Sequence, residues 1–151
     1  MITIEKLKLN INKNSRLIGL DLGTKRTGVS ICDDKRLVAT PLQTIAFTTL
    51  DNLVFEIEKL IIENNIKAVI IGNPINMDGS SGKASQSIKS KANKISKKIN
   101  TPISLWDERL STVGAFNLSS ELDVNVSKRT KNLDGKASAF MLQGAIDYLN
   151  N

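Results

Sequence analysis

The chain has 151 residues, 40% apolar and 24% charged, the size and composition of one ordinary globular domain and too short for two full ones. No apolar run approaches the roughly 18 residues of a membrane span, and Met1 to Ser15 lacks the continuous apolar segment of a secretory signal, so a membrane protein is excluded and a cytoplasmic location is expected. Histidine is absent and Cys32 is the single cysteine, which removes His-dependent triads, His general bases, His-containing zinc sites and internal disulfides and confines catalysis to carboxylates, lysines and hydroxyls.

A net charge of +6 favours acidic partners, nucleic acid foremost. Aromatic residues make up only 4%, so recognition through backbone and shape is expected to outweigh base stacking.

In chain order, residues 1–15 form an N-terminal extension without assignment, followed by a single domain over 16–151. Leu17 to Leu20 reads as a buried strand that ends on Asp21, with a glycine-rich basic turn, Gly23-Thr24-Lys25-Arg26-Thr27-Gly28, immediately after it. Thr27 to Cys32 and Leu37 to Leu42 follow as two more strands, giving a meander, with Cys32 as a small buried hydrophobe. Leu50, Leu53, Val54, Ile57, Leu60 and Ile61 recur at helical spacing between Thr49 and Asn64. Ala68 to Ile71 is apolar on both faces, as in a parallel strand covered by helices. The polar loop from Asn76 to Gly82 leads into a Lys-rich helix over 84–99, whose narrow apolar stripe is Ile88, Ala92, Ile95 and Ile99. A short strand over Pro102 to Trp106 ends on Asp107 and Glu108. Helices over 111–121 and 134–149 close the chain, separated by the basic stretch Ser127 to Lys131. An antiparallel meander followed by alternating helices and parallel strands is a mixed-sheet α/β domain, in which ligands gather at the carboxyl ends of the parallel strands.

Asp21 and the pair Asp107-Glu108 fall at such ends, and Asp134 opens the last helix. Each has a structural alternative: Asp21 accepting turn amides, Asp134 serving as a helix N-cap. Were they to converge, ionised carboxylates would persist together at neutral pH only beside a cation or with a raised pKa. Oxygen-only donors point to Mg²⁺ or Mn²⁺, and two such ions about 3.5–4 Å apart are suited to phosphodiester hydrolysis. Lys25, Arg26 and Arg109 have the charge to hold phosphates, as do Lys128, Arg129 and Lys131 of the basic stretch. The loop starting at Asn76 offers backbone amides at a helix start. The six lysines 83, 89, 91, 94, 97 and 98 are either a solvated face or a surface that tracks a nucleic-acid backbone.

Four ordered motifs carry a family resemblance: Asp21-Leu-Gly-Thr-Lys-Arg-Thr-Gly28-Val, Gly72-Asn-Pro-Ile-Asn-Met-Asp-Gly79, Trp106-Asp-Glu-Arg-Leu-Ser-Thr112, and Leu133-Asp134 before Ala137-Ser-Ala. Over about Arg16 to Leu149 the chain resembles the YqgF (RuvX) family of ribonuclease H-like proteins, described as Holliday junction resolvases and as nucleases maturing the 5′ end of pre-16S ribosomal RNA. The resemblance implies a five-stranded mixed sheet flanked by helices, Asp21, Glu108 and Asp134 as catalytic metal-binding acids, and Glu108 in preference to Asp107. It also implies pre-16S rRNA, with branched DNA as the alternative, and ribosomal particles as partners. In the wider superfamily a carboxylate often ends the fourth strand; here that strand ends Gly72-Asn73-Pro74, so Glu108 from the fifth must replace it. Asn73 also departs from the leucine usual in the family motif, which bears on local packing. A binding factor without cleavage is the reading from another class, and the intact acids argue against it. A nucleotide-binding ATPase half, which Asp21-Leu-Gly-Thr also resembles, would need a second such domain.

Overall fold

The computed structural model describes residues 1–110 and 135–151. Among these the elements run α1 (Ile4–Asn10), β1 (Arg16–Leu22), β2 (Arg26–Cys32), β3 (Ala39–Ala46), α2 (Leu50–Glu63), β4 (Ile66–Asn73), α3 (Lys83–Ser96), β5 (Ile103–Asp107) and α4 (Lys136–Asn150). The five strands form one sheet of order β3-β2-β1-β4-β5, antiparallel across β3, β2 and β1 and parallel across β1, β4 and β5.

Connection lengths dictate that pattern. Short turns join β1 to β2 and β2 to β3, which permits only antiparallel pairing, whereas the helical crossovers α2 and α3 return the chain to run parallel. Alternation along the central strands serves two cores. Ile18, Leu20, Val69 and Ile71 pack on one face with Leu53, Ile57, Ile88 and Ile95 of α2 and α3. Leu17, Ala68, Ile70 and Trp106 pack on the other with Leu7 of α1 and Leu142 and Ile146 of α4. The expectation that Ala68 to Ile71 is covered on both sides is met by this arrangement, and Cys32 is buried.

Two features differ from expectation for local reasons. Strand β3 begins at Ala39 rather than Leu37, because the Asp33 carboxylate accepts the amides of Leu37 and Val38 at 2.7 and 2.8 Å and holds them in the turn. Pro41 is tolerated because β3 is an edge strand with a register shift opposite Val29 and Ser30. Residues 1–15, unassigned from sequence, contain α1, capped by Thr3 and anchored by Leu7, with Ile2 bridged to Ser104. The buried Arg36 bonds Asn12 and Asn150, tying this segment to the far end of α4. The helix expected over 111–121 lies outside the described residues. No helix among them is long and apolar enough to cross a membrane.

Candidate active site

The carboxyl ends of β1, β4 and β5 lie side by side, with Leu20 opposite Ile71, Gly72 opposite Trp106 and Asn73 opposite Asp107. Asp21 is the penultimate residue of β1, paired with Gly28 of β2. Glu108 follows β5, and its backbone N–H donates to the carbonyl of Asn73 at 3.2 Å. Its carboxylate lies over Gly72, where a Cβ would collide with Glu108 Oε1. The glycine one residue before the end of the fourth strand thus leaves the space a carboxylate from the fifth occupies. Asp21 and Glu108 line one cavity of about 240 Å³ with Gly23, Thr24, Ser87 and Lys91.

Burial raises the Asp21 carboxyl above its ordinary value. Glu108 is raised by burial first, then by the negative charges of Asp21 and Asp107. Asp107 is the opposite case: the Arg109 guanidinium donates from Nε to both carboxylate oxygens at 3.1 Å and from Nη2 to Oδ2 at 2.7 Å, and holds its carboxyl below the usual range. Two half-buried acids, both raised by burial and Glu108 raised further by the charge of Asp21, with oxygen donors only, fit a hard divalent cation. Among the described residues no group of three His, Cys, Asp or Glu is placed to hold a metal.

Asp134, Lys128, Arg129 and Lys131 lie outside the described residues. The helix N-cap position falls on Gly135, at φ 93° and without a side-chain cap bond, rather than on Asp134. A Cβ on Gly28 would sit 3.3 Å from the backbone N of Gly135 and 3.7 Å from Asp21 Cβ, so the entry to α4 passes directly beside the Asp21 strand pair. A buried Ser30–Ser138 hydroxyl pair at 2.7 Å fixes the helix there.

Lys25 and Arg26 are exposed on the turn after β1. Arg109 is clasped by Asp107, and Asn76 turns into its own loop, donating to Ser80 Oγ at 3.1 Å. Two residues given no individual role at the site from sequence bear on the cavity. Lys91 lines it and donates to the Gly23 carbonyl at 3.4 Å; its place beside the stripe of Ile88, Ala92 and Ile95 separates it from the solvated lysines. Buried Asn73 accepts from Ser85 Oγ at 2.7 Å, locking the start of α3 to the strand end that holds Glu108. The departure from leucine is therefore a hydrogen-bonded junction.

This sheet order and its flanking helices define a ribonuclease H-like fold of the resolvase type. The chain superposes on Thermus thermophilus RuvC, solved with a Holliday junction substrate, with a TM-score of 0.56 and 10% identity, covering 86% of this chain and 91% of that one. The yeast mitochondrial Holliday junction resolvase Ydc2 gives 0.51 at 13% identity, covering 97% and 84%. The chain belongs to the RuvX family, described as Holliday junction resolvase, whose profile matches residues 15–148. Relatives bearing the name "Putative pre-16S rRNA nuclease" include one from Pelagibacter ubique, 59% identical over the full length of both chains, and one from Rhodobacter capsulatus, 42% identical over 88% of this chain and 84% of its own.

Proposed function

We propose that this protein is a divalent-cation-dependent nuclease that hydrolyses phosphodiester bonds at the 5′ end of pre-16S rRNA during ribosome biogenesis. One observation carries the chemistry: Glu108 lies over Gly72 in the same cavity as Asp21, and both carboxyls are raised by burial. Asp134 is the third acid of the reading, supported by the passage of Gly135 beside Gly28 and Asp21. Mg²⁺ or Mn²⁺, two ions in this reading, held by Asp21, Glu108 and Asp134, supplies Lewis-acid polarisation of the scissile phosphate and a lowered pKa for attacking water. Lys91 anchors a phosphate oxygen at the cavity wall, and Lys25, Arg26 and the basic stretch at 128–131 follow the flanking backbone. The substrate class rests on the names of the relatives, and it brings a cytoplasmic site of action on ribosomal particles.

The family description and the resolvase fold favour a second reading, junction cleavage of DNA. A pre-16S 5′-leader RNA and a four-way DNA junction, assayed side by side with Mn²⁺, Mg²⁺ or EDTA, separate the two. Cation-dependent RNA cutting, lost in Asp21→Asn, is the expected result. Paired cuts confined to the junction would transfer the assignment to a resolvase, and cutting indifferent to Asp21→Asn would remove the proposed centre.

A further inference from the structure

Thr24 lines the carboxylate cavity on one side and a larger groove, about 920 Å³, on the other. The groove runs between edge strand β3 and the first turns of α2, and its walls carry Lys25, Arg26, Gln43, Phe47 and Phe55, with Glu56 as the one acid among the described residues that line it. Phe55 is 66% exposed although α2 buries Leu53, Val54, Ile57 and Leu60, so folding of the helix does not require an aromatic there. Phe47 is half-buried against the core and forms a fixed wall. Lys25 and Arg26, which follow Thr24 in the groove wall, make no ion pair among the described residues.

Two cations and an exposed aromatic residue lining one groove match an alternating phosphate and base. A duplex presents its bases edge-on inside the stack and offers no ring face to Phe55, whereas a single strand does. We infer that this groove is a subsite for a single-stranded stretch of the nucleic acid flanking the cleavage point, with its phosphates on Lys25 and Arg26 and a base stacked on Phe55. The placement beside the cavity rests on the nuclease reading; the stacking does not.

Binding without cleavage tests it: anisotropy of the full chain in EDTA with a labelled oligouridine of about twelve nucleotides, the same strand made abasic, and a blunt RNA duplex of equal length. Phe55→Ala should weaken binding of the oligouridine about tenfold and Phe55→Tyr should restore it, with little effect of either on the abasic strand or the duplex. Ile62→Ala, at an apolar residue of the same helix that is even more exposed than Phe55, should change nothing. Unchanged affinity in Phe55→Ala would overturn the subsite and leave the phenylalanines to a protein partner. An equal loss on duplex, or no measurable binding of the oligouridine by the wild type, would overturn it too. Failure of the nuclease reading shows separately, as cleavage indifferent to Asp21→Asn.

Discussion

Asp107 and Glu108 are neighbours in sequence and opposites in circumstance. Asp107 is clasped on both oxygens by Arg109 and its carboxyl is lowered; Glu108 lies over a glycine, half-buried, beside Asp21, and its carboxyl is raised. A carboxylate whose charge is already met by a guanidinium gains little from a cation, while one that ionises against burial and a like charge gains much. The contrast separates a braced corner from the acids of the proposed metal centre.

The largest effect should come from exchanging those neighbours' charges one at a time. Glu108→Gln is expected to lower single-turnover cleavage by more than about a hundredfold, the scale beyond that of supporting residues around a metal. Asp107→Asn should stay within about tenfold of wild type, because it touches the site only through Arg109 and a weak charge. Equal losses from the two would erase the distinction. Gly72→Ala should fall between them, about ten- to a hundredfold down in cleavage, since its Cβ displaces the Glu108 carboxylate and also meets Met141 Cγ at 3.1 Å. A Gly72→Ala protein of wild-type activity would show that Glu108 works from elsewhere.

Much of this was legible in the sequence, and unequally. Asp21 stood out because a carboxylate ending an apolar run is costly to bury unless a cation or hydrogen bonds meet it, although turn amides were an open alternative, and the two-faced apolar run at Ala68 to Ile71 placed the parallel half of the sheet. Spacing could not separate Asp107 from Glu108: the difference is made by Gly72 and Arg109, one of them over thirty residues away. Lys91 hid among the six lysines between residues 83 and 98, since only the tertiary path of β1 brings the Gly23 carbonyl to it. The start of β3 was misplaced because one Asp33 side chain outcompeted the ladder for two amides. The groove beside Phe55 joins a strand edge to a helix that no local periodicity links, and a scarcity of aromatics concealed that two of them face it.

The smallest effects are in stability, and there the two kinds of acid should differ in sign. Asp21 has a raised carboxyl in the folded state, so its contribution is fully favourable below the unfolded value and is lost as pH rises through the folded one. At neutral pH without divalent cations, Asp21→Asn should therefore melt a few degrees above wild type, and the gap should close on acidification. Asp107 has a lowered carboxyl, so its contribution is present above the unfolded value and is lost as pH falls through the folded one. The pair is partly exposed, at 20% for Asp107 and 32% for Arg109, which limits Asp107→Asn to a loss of about 1 kcal/mol or less. Its melting point should lie roughly 2–4 °C below wild type at neutral pH, converging with it in acid. Millimolar Mg²⁺ or Mn²⁺ supplies the decisive comparison, because a cation bound by Asp21 stabilises only the folded chain that retains that carboxylate. Wild type and Asp107→Asn should both rise in melting temperature while Asp21→Asn stays put, and a rise in all three by the same amount would place the cation away from Asp21.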